Sequence, residues 1–330
     1  MRIEFYAGRV CLSLVVAMIA VVSVAEGAKR TDLLYLSQVH RGGGADTRPD
    51  NTLEACLWSW GNGAAPEIDA RLTKDGVAIA MHDGTLKRVG RGISEELANT
   101  QVKDLDWAQI RDVDIGSYMR PEYASYRLAT VESVLSAMVG RPDRILYLDE
   151  KGATPELVAK MAQEKGVDAQ VSYAAPSYWC VKKWKDACPR GKGMVWMGFK
   201  WPKAPFSKED VRLADESLRK QLATIEQNDW YVDQVQFHLL ADIDGEEPFC
   251  PSAEFLRREI AKLHEHGVTV QAFNWRQGER KDVMKKVFGL GFDSIATDYP
   301  LMLFDLIREL KEEDRRPKAA PAPGPSQSCS

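Results

Sequence analysis

The chain has 330 residues, of which 45% are hydrophobic and 28% are charged, and its formal net charge is -4. This length and balance support a large core in one barrel-sized domain or two smaller ones, and they exclude a wholly disordered chain and a membrane bundle. The slightly acidic charge argues against a nucleic-acid partner, because binding to a phosphate backbone requires a basic surface.

The first segment has the pattern of an export signal. Arg2 and Arg9 precede an apolar run over residues 10–24, and the small residues at 23–25 are of the kind found before a signal-peptidase cut. The run is shorter than the roughly 20 residues that span a bilayer comfortably. We therefore predict that residues 1–25 are a signal peptide and that the mature protein is exported, to the periplasm or outside the cell. An uncleaved membrane anchor is the alternative.

A predicted strand pair over residues 66–83 carries the first candidate site. Glu67 and Asp69 are two positions apart in an extended run, so both carboxylates point to the same side of the strand. Two converging like charges are costly unless a cation or a shared proton neutralises them, and oxygen ligands suit Mg²⁺ or Ca²⁺. A tight turn and a second apolar strand then bring His82 back toward them. The non-functional alternative is a solvated strand face with a His-Asp pair at the surface.

Apolar, β-branched runs alternate with helix-like segments about eight times along the chain. This alternation favours an α/β fold of the closed (β/α)₈ barrel type over an open doubly wound sheet. The predicted strands cover residues 33–40, 67–71 with its partner 77–81, 145–150, 169–173, 194–199, 234–239, 268–274 and 294–297. The predicted helices cover residues 52–60, 155–165, 208–227, 253–266, 281–288 and 300–312.

The predicted domain organisation is one TIM barrel over residues 30–313. Residues 84–128 fit the barrel repeat poorly, so we expect a small insertion after the second strand region, over one mouth of the barrel. Residues 314–330 are rich in proline and alanine, and we expect a disordered tail there because such a sequence cannot pack.

Several short motifs occur in an order that resembles a known enzyme family. They are His40-Arg41-Gly42, Pro49-Asp50-Asn51-Thr52, Glu67-x-Asp69, Thr73-Lys74-Asp75-Gly76, His82-Asp83, Leu148-Asp149-Glu150-Lys151 and the closing strand at 291–300. This order resembles the glycerophosphodiester phosphodiesterases, whose fold is the phosphodiesterase barrel of phosphatidylinositol-specific phospholipase C. The resemblance covers residues 33 to 310.

The resemblance implies hydrolysis of glycerophosphodiesters to glycerol 3-phosphate and an alcohol, a step of lipid metabolism, with one divalent cation as cofactor. It implies that His40 and His82 are the acid and base of the reaction, in either order. It further implies that Arg41 and Lys151 contact the substrate phosphate.

The third metal ligand rests on the resemblance together with strand alternation. Asp149 and Lys151 would share a face of their strand, so we expect Glu67, Asp69 and Asp149 to bind the cation, Ca²⁺ or Mg²⁺. The family usually has glutamate in place of Asp149, and a shift of the strand frame would make Glu150 the ligand instead. Asp50 also replaces a glutamate of the family.

The alcohol or lipid part of the substrate has candidate contacts at a possible aromatic rim, which includes Phe273 and Trp275. The alternative functions are those of a lysophospholipase D or a phosphodiesterase of the sphingomyelinase D kind, both acting on lipids, and of a catalytically inactive binding barrel. The expected partner is therefore a small glycerophosphodiester. The oligomeric state is not predicted.

One basic, aromatic segment lies at residues 179–192. Its lysines and tryptophans could contact a lipid headgroup, although a solvated loop is the simpler interpretation. Cys180 and Cys188 flank part of this segment, and export makes a disulfide between them plausible.

Overall fold

The computed structural model describes residues 36–315, with the side chains of Ser37 and residues 313–315 excepted. The predicted signal peptide and residues 316–330 of the predicted tail, with Cys11 and Cys329, lie outside the described residues, whereas residues 314 and 315, which we expected to be disordered, continue the last helix.

Strands in the described part of the chain form one continuous sheet with a short addition. They are β1 (Ser37–Val39), β2 (Ala65–Leu72), β3 (Ala78–Ala80), β4 (Leu146–Glu150), β5 (Val171–Ala175), β6 (Lys192–Met197), β7 (Gln234–Ala241), β8 (Phe249–Cys250), β9 (Thr269–Asn274) and β10 (Ser294–Thr297). All of them except β3 and β8 pair in parallel, and β1 pairs with both β10 and β2. The sheet is therefore closed into the predicted eight-stranded parallel barrel.

Helices cover the outside of the barrel, except for the two short ones that lie within residues 84–128. They are α1 (Leu53–Gly61), α2 (Glu95–Asn99), α3 (Trp107–Ile110), α4 (Val131–Ser136), α5 (Pro155–Glu164), α6 (Tyr178–Ala187), α7 (Lys208–Glu226), α8 (Ala253–Glu265), α9 (Lys281–Phe288) and α10 (Pro300–Arg315). Several begin at a capping side chain: Thr52, Thr154 and Ser252 each accept a hydrogen bond from a backbone N–H of the first turn. Each such cap stabilises its helix by about 1 kcal/mol.

Alternate side chains of the barrel strands point in opposite directions, to the apolar core between strands and helices or into the barrel, where the candidate site lies. On β2, Ile68 and Ala70 are fully buried in the large apolar cluster between strands and helices. Glu67 and Asp69 alternate with them and so point into the barrel. On β4, Leu146 and Leu148 join the same outer cluster, while Tyr147 and Asp149 point inward.

Residues 84–128 form a small unit with its own core. Leu86 and Val102 are fully buried there, in an apolar cluster separate from the main one. This insertion packs on the loop after β1, because Arg48 donates to the Tyr123 hydroxyl at 3.2 Å and Arg120 donates to the Asp46 carbonyl at 3.2 Å.

The segment that we expected to be a solvated loop is the helix α6. Trp184 is fully buried, and its indole N–H donates to the Lys192 carbonyl at 2.8 Å. Lys185 pairs with Asp233 at 2.7 Å, and Arg190 donates to a carboxylate oxygen of Asp168 at 2.8 Å. The basic residues of this segment are therefore largely paired with acids.

The predicted disulfide between Cys180 and Cys188 is wrong. Both are free thiols. Cys180 lies in the first turn of α6 and Cys188 directly follows the last residue of that helix. Eight positions of helix separate two Cα atoms by about 12 Å, whereas a disulfide needs roughly 4.4–6.8 Å.

Along residues 36–315, none of the helices combines the length and the apolar character needed to cross a membrane.

Candidate active site

Three inward-pointing carboxylates meet at the carboxyl ends of two neighbouring strands. β2 and β4 are paired in register, with Asp69 opposite Asp149. Glu67 is 3% exposed, Asp69 1% and Asp149 9%. Each offers an oxygen atom within 4.8 Å of those of the other two. Although Asp149 is one methylene shorter than glutamate, its side chain reaches the group.

The loop after β1 supplies hydrogen-bond donors to this acidic group. Arg41 has a left-handed backbone with φ of 52°, and its amide donates to Glu67 Oε2 at 2.7 Å. Asn51 is also left-handed, with φ of 57°; its side chain donates to Asp69 Oδ2 at 2.9 Å and accepts from the Asp69 amide at 2.8 Å. A left-handed backbone raises the free energy of the folded state for residues other than glycine. In this loop that strain accompanies the hydrogen bonds to the carboxylates.

The glycines of this loop serve close backbone packing. A Cβ atom on Gly43 would lie 2.2 Å from the Arg48 carbonyl oxygen, and one on Gly44 would lie 2.6 Å from that of Asp298. Only glycine allows the loop to pass this close to its neighbours.

Burial and the repulsion between neighbouring carboxylates make the negative charge of this acidic group costly. Burial, and then the charges of Asp69 and Asp149, raise the pKa of Glu67 well above its usual value. Burial also raises the pKa of Asp149, although Lys151 opposes the shift. Three buried carboxylates whose charge is balanced only in part, by Lys151, are a donor set that suits a hard divalent cation, so the residues present fit such an ion.

Two side chains fix Asp149. Lys151 forms an ion pair with its Oδ2, and the Trp196 indole N–H donates to its Oδ1 at 2.8 Å. Lys151 Nζ also lies 3.6 Å from Asp69 Oδ1. Glu150, the alternative ligand, alternates with Asp149 and accepts from the Gly152 amide at 2.9 Å, and it is not among the clustered carboxylates.

Both candidate catalytic imidazoles have a carboxylate partner. His40 Nδ1 lies 2.7 Å from Asp298 Oδ1, and His82 Nδ1 lies 2.8 Å from Asp83 Oδ1. A carboxylate on Nδ1 orients the ring and leaves Nε2 as the nitrogen that can exchange a proton.

One cavity of about 530 Å³ is lined by the two histidines, the three clustered carboxylates, Arg41 and Lys151. All of these residues come from the segment between β1 and the start of β5. Later strands and loops supply an aromatic part of the wall, formed by Trp196, Phe199, Trp201, Phe273 and Trp275. The charged lining residues of the cavity thus come from the first half of the chain and its aromatic wall from the second, which also adds Gln221, Gln236 and His238.

His238 also lines the cavity. Its ring stacks on Trp196 with a centroid separation of 5.0 Å and an interplanar angle of 3°. Its Nε2 lies 3.1 Å from Gln236 Oε1. Burial lowers the pKa of His238 to about 3, helped by His40 and Lys151, so it is neutral at physiological pH. It therefore cannot act as an acid there.

Known proteins resemble this chain most clearly in the segment that carries the candidate site. The model of the "Glycerophosphoryl diester phosphodiesterase family" matches residues 40–191, which carry His40, His82 and the acidic group. A glycerophosphodiester phosphodiesterase of Caldanaerobacter subterraneus subsp. tengcongensis is 23% identical over 82% of this chain and 96% of its own length. Over residues 40–191 the chain is similar to the glycerophosphodiester phosphodiesterase family.

Other matches to glycerophosphodiester phosphodiesterases are shorter or more distant. Glycerophosphodiester phosphodiesterase 1 of Mus musculus is 32% identical over 34% of this chain and 33% of its own length. The first curated relatives are matched over only about a third of their length. A phosphodiesterase of Oleispira antarctica, solved in complex with the product sn-glycerol-3-phosphate, has the same fold, with a TM-score of 0.61, 18% identity, and coverage of 84% of this chain and 99% of its own.

The structure adds residues that the sequence alone did not assign to this site. Asn51, Asp83 and Asp298 lie within the quoted motifs, so the motifs signalled them without indicating what they contact. Trp196 was among the aromatic residues expected near the ends of the later strands, but the sequence did not indicate its bond to Asp149, which joins side chains 47 positions apart.

Proposed function

We propose that the protein hydrolyses glycerophosphodiesters to glycerol 3-phosphate and an alcohol, with a bound divalent cation and two histidines as acid and base. The observation that carries the proposal is the single cavity lined by His40, His82 and the clustered carboxylates. The Oleispira antarctica neighbour supports the substrate class, because it was solved with sn-glycerol-3-phosphate.

In this proposal each residue has a defined task. Nε2 of one imidazole removes a proton from the attacking hydroxyl group, while Nε2 of the other donates a proton to the leaving alcohol. Attack by water gives glycerol 3-phosphate directly; attack by the substrate's own hydroxyl gives a cyclic phosphodiester, which water then opens to glycerol 3-phosphate with the two imidazoles in exchanged roles. Arg41 and Lys151 neutralise phosphate oxygens; Arg41 suits this task because its buried Nε has no protein partner. Glu67, Asp69 and Asp149 would hold the cation, which supplies Lewis-acid polarisation of the phosphoryl group when bound.

Release of glycerol 3-phosphate tests the proposal. We expect the purified protein to release it from glycerophosphocholine, glycerophosphoethanolamine or glycerophosphoinositol with Ca²⁺ or Mg²⁺, and not with a chelator. His40→Ala and His82→Ala should each lower kcat by about 10²- to 10⁴-fold. His266→Ala is the matched control, because His266 stacks on Trp230 and does not line the cavity. Rates of both test variants near that of the control would refute the two-histidine assignment.

The aromatic wall favours one alternative substrate class, the lysophospholipids, because Trp201 is 48% exposed beside the cavity and offers apolar surface to an acyl chain. A side-by-side assay of lysophosphatidylcholine and glycerophosphocholine separates the two functions. A higher kcat/KM for the lipid would replace the proposed function with that of a lysophospholipase D.

We also propose that the protein is exported, on the basis of the apolar run at residues 10–24 and the small residues after it. Mass spectrometry of the N-terminus of the protein made in its native host tests this proposal. An intact N-terminus in the cytosolic fraction would contradict it.

A further inference from the structure

Arg88 lies in the insertion, in the turn that follows His82, and its guanidinium bridges two carboxylates. Its Nε donates to Asp83 Oδ2 at 2.6 Å, and its Nη2 donates to Asp50 Oδ2 at 2.8 Å. Two separate N–H groups of one planar fork therefore hold two acids that lie 33 positions apart in the chain.

Each of these carboxylates also holds a residue of the proposed site. The second oxygen of Asp83 lies 2.8 Å from His82 Nδ1. Asp50 Oδ2, which accepts from Arg88, also accepts from Arg41 Nη1 at 3.0 Å. One guanidinium thus stands behind both an imidazole proposed to transfer a proton and a guanidinium proposed to bind phosphate.

The surroundings of Arg88 fix its position. Leu86 and Val89, on either side of it, are buried in the core of the insertion. The ring of Tyr118 lies 5.7 Å from the guanidinium carbon, and the Tyr118 hydroxyl donates to Asp50 Oδ1 at 2.9 Å. The insertion therefore supplies both the fork and a second donor to the same acid.

The charges in this network reinforce each other. Although burial alone would raise it, the pKa of Asp50 is lowered by Arg88 first and Arg41 next. Asp50 is therefore a carboxylate that accepts three side-chain hydrogen bonds, which gives a use to the aspartate that replaces the family's glutamate.

We propose that Arg88 is a positioning residue, which holds the His82 imidazole through Asp83 and the Arg41 guanidinium through Asp50. This inference rests on the roles proposed above for His82 and Arg41. It assigns the insertion a part in the reaction, because the insertion carries Arg88, which connects the partner of His82 to the partner of Arg41.

The fork geometry distinguishes this role from a simple charge effect. Lysine keeps the charge but is a point donor, so it cannot hold Asp83 and Asp50 in the same arrangement. Arg88 is 41% exposed on its side chain, and surface ion pairs contribute only about 0–1 kcal/mol. Arg88→Lys and Arg88→Gln should therefore fold normally and still disturb the site.

The first measurement uses no substrate. In protein labelled with ¹⁵N-histidine, five imidazoles give signals, and His82→Gln assigns that of His82. We expect the Nδ1 signal of His82 to shift in Arg88→Gln and Arg88→Lys. It should remain at the wild-type position in Arg127→Gln, a matched control in which an exposed arginine of the same insertion loses only backbone contacts. An unmoved His82 signal in both Arg88 variants would overturn the proposal.

The second measurement separates the two arms of the fork by kinetics. We expect Arg88→Gln and Arg88→Lys to lower kcat/KM by about 10- to 100-fold, since small misplacements of reacting groups have effects of this size. Asp50→Asn should mainly raise KM and leave the His82 signal unmoved, whereas Asp83→Asn should mainly lower kcat. Arg88 variants within about twofold of Arg127→Gln would overturn the proposal. If the wild-type protein releases no glycerol 3-phosphate, the proposed function fails, and the His82 signal still decides whether Arg88 positions that ring.

Discussion

Trp196 has two contacts at once in the cavity. Its indole N–H donates to Asp149, and its ring stacks on His238. Asp149 lies in the acidic group that fits a cation. Donors that orient a metal ligand typically affect metal affinity by 10- to 100-fold.

Trp196→Phe should therefore weaken cation binding about tenfold or more, because it removes the donor to Asp149 while keeping an aromatic ring. Isothermal titration calorimetry with Ca²⁺ and with Mg²⁺ measures the effect. Trp201→Phe is the control, since Trp201 packs near Trp275 on the rim with a centroid separation of 5.2 Å. Equal affinities in the two variants would show that the Trp196 hydrogen bond does not support the cation site.

His238 makes stability depend on pH in a defined direction. Its pKa is lowered to about 3 in the folded protein, whereas an unfolded histidine has a pKa of about 6.5. As the pH falls below about 6.5, the unfolded chain binds a proton that the folded protein refuses, so this residue lowers the free energy of unfolding, by at most about 1.4 kcal/mol per pH unit.

Replacing the imidazole should remove that dependence. We expect His238→Gln to lose stability less steeply than the wild type between about pH 6 and pH 4. Urea unfolding at a series of pH values gives the slope, with His266→Gln as the reference. A His238→Gln slope as steep as that of the wild type would mean that His238 accepts a proton in the folded state.

At the residue scale, the sequence could predict which ionisable groups meet but not what holds them. Glu67, Asp69 and His82 were accessible from strand periodicity, and Asp149 from its motif. The network of Arg88, Asp50 and Asp83 was not, because no local rule relates residues joined only by the packing of an insertion.

Helix α6 differs from the structure that its local sequence pattern predicts. Its lysines and tryptophans suggest an exposed basic patch, yet one tryptophan faces the core and the other solvent. Trp184 is fully buried and stacks on Tyr173 with a centroid separation of 5.2 Å, whereas Trp179 is 55% exposed. The helical period separates the two tryptophans, and the same helix holds Cys180 and Cys188 too far apart for the predicted disulfide.

Trp184→Ala should lower the free energy of unfolding by about 3–5 kcal/mol, because it leaves a large cavity and removes the bond to the Lys192 carbonyl. Trp179→Ala should change it by less than about 0.5 kcal/mol. Chemical denaturation of both variants measures the difference. Similar losses in the two would contradict the burial of α6 against β5.

Alternation of strands and helices was enough to predict the whole barrel. The strands predicted at residues 234–239 and 294–297 correspond to β7 and β10. Closure itself depends on the parallel pairing of β1 with β10, which joins segments more than 250 positions apart and has no signature in either. The path of the insertion was equally inaccessible, because its small core forms only after folding.

Cation binding should stabilise the whole molecule. If Ca²⁺ or Mg²⁺ binds only the folded protein, a concentration of 100 times the Kd adds about 2.7 kcal/mol to the free energy of unfolding. We expect Tm to rise on addition of the cation and to fall back with chelator. Asp69→Asn should abolish the rise. A Tm that ignores both cations would argue against the metal site.

The charged and the aromatic residues that line the cavity come from different halves of the chain, which bears on whether the halves can be exchanged between relatives. His40, His82, the clustered carboxylates, Arg41 and Lys151 lie within the stretch that the family model matches, 40–191, whereas the aromatic wall begins only at β6. The two half-barrels are nevertheless not independent parts, because Asp298 of the C-terminal half pairs with His40 and Trp196 of β6 donates to Asp149. We therefore expect that a C-terminal half grafted from a relative would change the aromatic wall without disturbing the N-terminal residues only if it keeps an acid at position 298 and a tryptophan at position 196.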